Sequence, residues 1–138
     1  ELKKVAVTSK LNLNKSRIGQ SNFRSQVLRY WRTCAVTGCS VLSVLKASHI
    51  KPWANSLPHE QLDTFNGLLL IANLDALFDC GLISFSDEGA IQISSKLDKN
   101  QYEFLGVNLD QKLRKVNTAH LPYLKYHRAH VFVDSIRS

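Results

Sequence analysis

Residues 41–81 read VLSVLKASHIKPWANSLPHEQLDTFNGLLLIANLDALFDCG. The first ten are apolar and β-branched enough to predict a strand, which Pro52 ends because proline cannot donate a ladder hydrogen bond. His49 therefore lies near the end of a strand. The polar stretch from Ala54 to Phe65 predicts a loop, and a loop of this length inside a compact domain tends to serve a function.

The second half of this stretch predicts another strand and then a helix. Asn66 and Gly67 introduce the short apolar run LLLI, which is long enough for a strand. The letters ANLDALFDCG follow with apolar residues at helical spacing, and Gly81 closes them as a C-terminal cap. The predicted order is strand, loop, strand, helix.

Elements on both sides complete an α+β fold. Upstream, SNFRSQVLRYW combines a Ser/Asn start with apolar residues at helical spacing, which predicts an amphipathic basic helix. Downstream, LISFS and AIQIS flank the turn 87–89 and predict an extra β-hairpin, and LPYLKYHRAHVFV predicts a C-terminal helix that begins after Pro122.

The chain has room for one domain. Its 138 residues have 44% hydrophobic content, which can bury one modest core, and we expect that domain to span residues 17–138. Residues 1–16 are weakly patterned and predict a linker or N-terminal extension, or an edge strand. The start at Glu1 is interpreted as a sign that the chain is a piece of a longer protein.

The positive charge of the chain is concentrated in its first half. The formal net charge is +7, and no Asp or Glu occurs between Leu2 and His59, whereas ten Lys or Arg residues do. The residues after His59 carry eight basic and ten acidic side chains. This distribution suits a polyanion such as nucleic acid, because each Lys or Arg near a phosphate releases a condensed counterion. A merely solubilising surface explains the charge equally well.

Composition disfavours several other classes of protein. No window approaches the roughly 18 consecutive apolar residues of a membrane span, so no membrane partner is expected. Three cysteines leave one unpaired in any disulfide scheme, which favours a reducing cytoplasm. Cys34 and Cys39 would supply only half of a zinc site, so structural zinc is not expected and core thiols explain them better.

One histidine and two aspartates are candidates for phosphodiester hydrolysis. A one-metal nuclease needs a neutral imidazole to take a proton from water and a hard cation to stabilise charge on the phosphate. The first strand offers His49, and the helix offers Asp75 and Asp79, which are four residues apart and project from one face. This spacing can chelate one Mg²⁺ or Mn²⁺ through oxygen.

Each of these residues also has an ordinary structural interpretation. A lone histidine on a strand is more often a core or surface residue than a base, and two acids on a helix are usually solvated. Asn66 before Gly67 is ordinarily a turn, since both residues tolerate positive φ. The functional interpretation therefore depends on the whole set in its order.

The ordered motifs resemble the HNH endonuclease family. The runs ASHIKPW, NGLLL and NLDALFDCGLISF occur in sequence, and RIGQSNFR, CAVTG and YLKYHRAHVF are also similar to elements of the branch found as nuclease domains of prokaryotic restriction-type proteins. The resemblance spans Arg17 to Phe132. It implies a ββα-metal (His-Me finger) core and a metal-dependent endonuclease that cuts double-stranded DNA.

The resemblance also implies a role for each candidate residue. His49 takes the place of the general base, with its ring oriented by a backbone carbonyl near Asn66. Asn66 corresponds to the middle Asn, which mainly ties the loop between the strands together. Asp75 and Asp79 fall on the metal-ligand positions of the helix, for one Mg²⁺ or Mn²⁺ per active site.

Basic residues around this unit are expected to hold DNA. Arg17, Gln20 and Arg24 resemble the family's basic lead-in helix, and with Lys51 the two arginines are predicted to bind backbone phosphates, which positions the scissile bond without reading bases. For the residues of this lead-in helix the alternative role is ion pairing, because carboxylates of the second half can recruit them.

Two positions depart from the family. Ser48 precedes the base, where many relatives carry an Asp or His that also binds metal, and Asp75 stands where His is common. Without a histidine ligand, the site should prefer Mg²⁺ or Mn²⁺ to Zn²⁺ or Ni²⁺. The same departures favour an alternative, a DNA-binding module that has kept the fold and lost catalysis. A secreted DNase toxin would share the chemistry and differ only in its flanking sequence.

Several properties stay open at this level. The sequence does not decide the target site, the need for modified bases, the choice between RNA and DNA, or pairing into a homodimer. Base readout is expected either in the loop 54–65 or in a specificity domain elsewhere in a longer chain.

Overall fold

The computed structural model describes the backbone of residues 2–134 and the side chains of residues 15–134. Helices and strands mix in one chain, which confirms the predicted α+β class. In chain order they are α1 (Leu2–Trp31), β1 (Leu45–His49), α2 (Pro58–Gln61), β2 (Gly67–Ile71), α3 (Ala72–Asp79), β3 (Ile83–Phe85), β4 (Ile91–Ile93), α4 (Tyr102–Leu105) and α5 (Leu121–His130).

Helix α1 is longer than the sequence predicts. The basic helix expected from Ser21 is present, but it begins at Leu2, so the edge-strand interpretation of the N-terminal segment is wrong for residues 2–16. No proline or glycine occurs before Gly19, and nothing in the local sequence stops the helix from extending toward the N-terminus.

Strands β1 and β2 form an antiparallel pair. Its register places Leu45 opposite Ile71 and His49 opposite Gly67. The predicted first strand starts four residues too early, because Leu42–Val44 form a 3-10 turn with exposed side chains. Since Ile71 is the last residue of β2, the segment before Leu45 has no partner strand to pair with.

Helix α3 follows β2 without a connecting loop. It buries Leu74, Leu77 and Phe78 against the core, which leaves the aspartates of the same helix on another face. Gly81 follows its C-terminus with φ +80°, in the left-handed region that favours glycine, so the predicted cap is confirmed. Strand, strand and helix thus form one compact ββα unit.

Helix α1 packs across this unit through one buried stripe. Phe23, Val27 and Trp31 lie at helical spacing and are buried, as the periodicity predicts. The indole Nε1 of Trp31 donates a hydrogen bond to the carbonyl oxygen of Gly67 at 3.1 Å. Gly67 itself has φ −137°, so it is an extended strand residue and not a turn with positive φ.

The segment between β1 and β2 is a loop built from short helical turns. Trp53–Asn55 and Thr64–Asn66 are 3-10 turns, and α2 lies between them. Pro58 suits the start of α2 because its ring sets the helical φ, and the Glu60 carboxylate accepts a hydrogen bond from the backbone N–H of Leu57 at 2.8 Å.

The C-terminal half packs against the ββα unit. Strands β3 and β4 pair antiparallel, which confirms the predicted hairpin, and α5 packs on β3. The buried His127 of α5 accepts a hydrogen bond from the Ser84 hydroxyl at 2.7 Å and donates one to the Phe78 carbonyl at 2.8 Å. Within the described residues, no helix is both long and apolar enough to cross a membrane.

Gly67→Ala should destabilise the fold by about 1–3 kcal/mol, the usual cost of overpacking a core. A Cβ atom at this position would overlap Val27 Cγ2 and lie 2.7 Å from Phe23 Cζ, and both side chains are buried. Gly19→Ala is the matched control, because its Cβ meets only the ends of flexible side chains and alanine favours a helix by about 0.5–1 kcal/mol. Urea unfolding of the three proteins tests this; equal stability of Gly67→Ala and the parent would contradict it.

The stability of the fold should fall as pH drops from about 6.5 to about 4. Burial lowers the pKa of His127 from 6.5 to about 4, so the unfolded chain binds a proton in this range that the folded chain excludes. This histidine alone should remove about 3 kcal/mol. Denaturant unfolding at several pH values measures how the free energy of unfolding changes with pH. This change should be smaller in His127→Gln than in the parent. It should equal the parent's in His59→Gln, where the replaced histidine is exposed.

Candidate active site

A cleft of about 430 Å³ lies where α1, β1 and α3 meet. It brings together the predicted base His49 and both predicted metal ligands, Asp75 and Asp79, although these lie on different elements. The residues that line it are Gln20, Phe23, Arg24, Lys46, Ala47, Ser48, His49, Pro52, Trp53, Asp75 and Asp79.

The imidazole of His49 is held by three contacts. Its Nε2 lies 2.8 Å from the carbonyl oxygen of Gln61, which can only accept, so Nε2 carries the proton. The ring stacks face to face on Phe23, with centroids 3.7 Å apart and planes within 9°. Trp53 meets it edge-on at 5.4 Å. These contacts leave Nδ1, in the neutral ring, as the nitrogen that can accept a proton.

The electrostatic surroundings favour the neutral form of this ring. Burial lowers the pKa of His49 below its usual 6.5, and the Gln61 carbonyl and the Asp79 carboxylate oppose the effect without cancelling it. At neutral pH the imidazole is therefore free to take up a proton, as a general base must be.

The two aspartates share one face of α3 but differ in exposure. Asp79 is exposed, whereas Asp75 is half-buried, and burial raises the pKa of its carboxyl. The charge of Asp79 raises that pKa further, while the Ser48 hydroxyl and the Lys46 ammonium act against the rise. Among the described residues, neither aspartate forms an ion pair within 4.0 Å.

The residues present fit a hard cation with few protein ligands. No three His, Cys, Asp or Glu side chains of the described chain gather as a metal site would require, so Asp75 and Asp79 stand as a pair. Oxygen donors of this kind suit Mg²⁺ or Mn²⁺. The buried Ser48 hydroxyl beside Asp75 has no hydrogen-bond partner in the described chain, although it lies close enough to affect the aspartate's pKa. A polar atom left over beside two carboxylates is consistent with a site for a hydrated ion.

Asn66 is fully buried and does not line the cleft. Its side-chain oxygen accepts the backbone N–H of Lys51 at 2.8 Å, and its amide donates to the Glu60 carbonyl at 3.0 Å. These bonds join both ends of the loop that carries Gln61, whose carbonyl orients the histidine. Asn66 therefore touches no reacting group, and the structural side of its predicted role is what the geometry supports.

The residues predicted to bind phosphate divide into two groups. Arg24 lines the cleft, where one of its five N–H donors binds the Leu45 carbonyl at 3.0 Å and the others remain available. Arg17 is exposed seven residues earlier on the same helix, so it lies on the same face outside the cleft.

Lys51 does not line the cleft, and its predicted role as a phosphate ligand stays a prediction. Its ammonium bonds both carboxylate oxygens of Glu60, at 2.9 and 3.1 Å, and lies 5.0 Å from the ring centroid of Tyr126. This ion pair lies within the loop between β1 and β2.

Several residues of the cleft were not predicted as site residues from the sequence, among them Lys46, Phe23 and Trp53. Lys46 and Ser48 are two positions apart on β1, and this period of two could have placed them on one face of the strand. Phe23 carried no such signal, because at helical spacing it looks like any core residue. Only its contact with His49 in three dimensions assigns it to the cleft.

Two strands and a helix that present one imidazole and two carboxylates to a common cleft define a ββα unit of the kind that the sequence resemblance implies. Residues 34–86 match a family model described as HNH endonuclease. The match confirms the family resemblance, and the matched segment contains β1, β2, α3 and the loop between the strands. A segment similar to this family suggests a nuclease or DNA-binding function. No curated protein matches the chain.

The pKa of His49 should lie below 6.5 and fall further in Asp79→Asn. The Asp79 carboxylate stabilises the protonated ring, so its removal lowers the pKa. Titration of the histidine ring protons by NMR measures the change, and Asp87→Asn, which removes an exposed aspartate outside the cleft, is the control. A His49 pKa that does not move when Asp79 is neutralised would show that the two groups do not face each other.

Proposed function

We propose that this chain is a metal-dependent DNA endonuclease domain in which His49 is the general base. The observation that carries the proposal is the convergence of His49, Asp75 and Asp79 on one cleft, with the proton-accepting Nδ1 left free by the bond from Nε2 to Gln61. The family match over residues 34–86 supports the same reaction class.

The reaction is a hydrolysis in which His49 moves one proton. Its Nδ1 takes the proton from a water molecule, the water oxygen attacks phosphorus, and the bond from phosphorus to the 3′ oxygen breaks. The leaving 3′ oxygen takes a proton from solvent water and His49 returns its own proton to solvent, so the products are a 5′-phosphate and a 3′-hydroxyl. A divalent cation on Asp75 and Asp79, Mg²⁺ or Mn²⁺, supplies when bound the positive charge that stabilises the phosphate and its leaving oxygen.

The walls of the cleft suit a DNA backbone. Arg24 and Lys46 face it from α1 and β1, and Arg17 extends the basic face along α1. Arginine can bind a phosphate through two parallel hydrogen bonds, which fixes the position of the backbone but carries no sequence information. In this proposal the three cations hold double-stranded DNA and align the scissile phosphate with His49.

The wider context of the domain is also a proposal. A restriction-type protein of a prokaryotic cytoplasm, with a separate specificity domain in a longer chain, agrees with the family branch that the sequence resembles. The three cysteines are free thiols, which supports a reducing compartment. Pairing of two such domains would allow both strands of a duplex to be cut.

Plasmid nicking tests the proposal. In Mg²⁺ or Mn²⁺ the parent should convert supercoiled plasmid to nicked and linear forms, and EDTA should stop it. His49→Ala should lower the rate by about 10²–10⁴-fold because it removes the general base. Asp79→Ala should lower the rate and raise the metal concentration needed for cutting, because it removes a metal ligand. His59→Ala, an exposed histidine outside the cleft, should cut like the parent. Cutting by His49→Ala at the parent's rate would refute the mechanism.

The pairing of only two carboxylates favours a second candidate, a DNA-binding module without catalysis. Calorimetry and salt dependence separate the two functions. A binder would show no divalent-metal heat and no nicking, together with a DNA affinity that falls steeply with salt. Metal binding with metal-dependent nicking would exclude it.

A further inference from the structure

The lead-in motif RIGQSNFR, at residues 17–24, lies outside the ββα unit, yet it reaches the cleft. Gln20, Phe23 and Arg24 all line the cleft from α1. Polar groups at such a place have an evident use in binding a substrate. A phenylalanine that is only 2% exposed does not, and it needs a separate explanation.

The position of Phe23 is set on two sides. The edge of its ring meets Gly67, where a hypothetical Cβ would lie 2.7 Å from Cζ and 3.2 Å from Cε1. Its face lies on the His49 ring at 3.7 Å. Because His49 and Gly67 are cross-strand partners, the missing side chain of the glycine is the space that the phenyl ring occupies.

This arrangement restricts the histidine more than a hydrogen bond alone would. The bond from Nε2 to Gln61 fixes one atom of the imidazole but leaves the ring free to rotate about that direction. The Phe23 ring, stacked within 9° of the imidazole plane, removes that freedom, and Trp53 packs edge-on against the imidazole. The direction of the Nδ1 lone pair is therefore decided by a residue of α1.

We propose that Phe23 is a positioning residue for the general base: by stacking on His49 it fixes the plane of the imidazole and excludes water from one face. The inference deepens the proposed nuclease function and rests on it for its effect on rate. It makes α1 part of the catalytic apparatus, through a side chain that touches the base and not the substrate.

The stack and the charged groups around His49 have separable effects. Asp79 faces the ring from α3 and raises its pKa, and burial lowers that pKa more strongly. Asp75, Lys46 and Arg24 line the same cleft from α3, β1 and α1. Replacing Phe23 leaves all four charges in place, so a change in the titration of His49 reports the loss of the phenyl ring.

The test compares Phe23→Leu and Phe23→Ala with Phe85→Leu. Phe85 is also fully buried, but it lies on β3 outside the cleft, so its replacement reports loss of core volume alone. Two readouts are used: NMR of the His49 ring protons over a pH series, and the pH–rate profile of plasmid nicking with kcat and KM separated.

For both Phe23 variants we expect the His49 ring protons to lose the upfield shift caused by the stacked phenyl ring. The pKa of His49 should rise. The acid limb of the pH–rate profile should move to higher pH with it. The value of kcat should fall by about 10–100-fold, the scale for a misplaced catalytic group, while KM changes little. Phe85→Leu should lose stability and leave all of these unchanged. In Gly67→Ala the added Cβ displaces the phenyl ring of Phe23, so the NMR shifts of the His49 ring protons should change in the same direction.

The outcomes distinguish this inference from the proposed function. If the Phe23 variants keep the parent's His49 shifts, pKa and kcat, or match Phe85→Leu in every readout, the positioning role is overturned while the nuclease can stand. If the parent itself does not cut plasmid, the proposed function fails, and the positioning role of Phe23 for a catalytic base fails with it, even where NMR still detects the stack.

Discussion

The antiparallel pairing of β1 with β2 is the constraint on which the rest of the site depends. Its register sets His49 opposite Gly67, and the absence of a side chain there lets the ring of Phe23 lie against the imidazole. The same pairing leads directly into α3, so the face that carries the aspartates is brought to the histidine. A slip by one residue would turn every side chain of β1 to the other face of the pair.

Burial affects the base and the acid of the cleft in opposite ways. It lowers the pKa of His49, which keeps the imidazole neutral and able to accept a proton, and it raises the pKa of Asp75, which disfavours the carboxylate. A cation between Asp75 and Asp79 would offset the second effect and leave the first. In the proposed mechanism, the burial that keeps His49 neutral therefore also makes the ionised form of Asp75 depend on a bound metal ion.

The loop between the strands is held by polar side chains that do not line the cleft. Asn66 bonds backbone groups at both ends of the loop, and Lys51 pairs with Glu60 within it. From the sequence, Asn66 was predicted mainly to tie this loop together, and Lys51 to bind phosphate. Both residues hold the segment that carries Gln61, whose carbonyl accepts the hydrogen bond from His49.

The sequence by itself determined the order of the elements around the site, the cap at Gly81, the α+β class, and the family to which the ββα segment is similar. These follow from local rules, since apolar periodicity, glycine and proline act within a few residues. The spacing of Asp75 and Asp79 belongs here too, because one helical turn sets it. Tertiary structure alone decided which cations face the cleft, where β1 begins, and that Phe23 stacks on His49. Each of these depends on contacts between residues far apart in the chain. The sequence around a core phenylalanine or a surface lysine does not indicate such contacts.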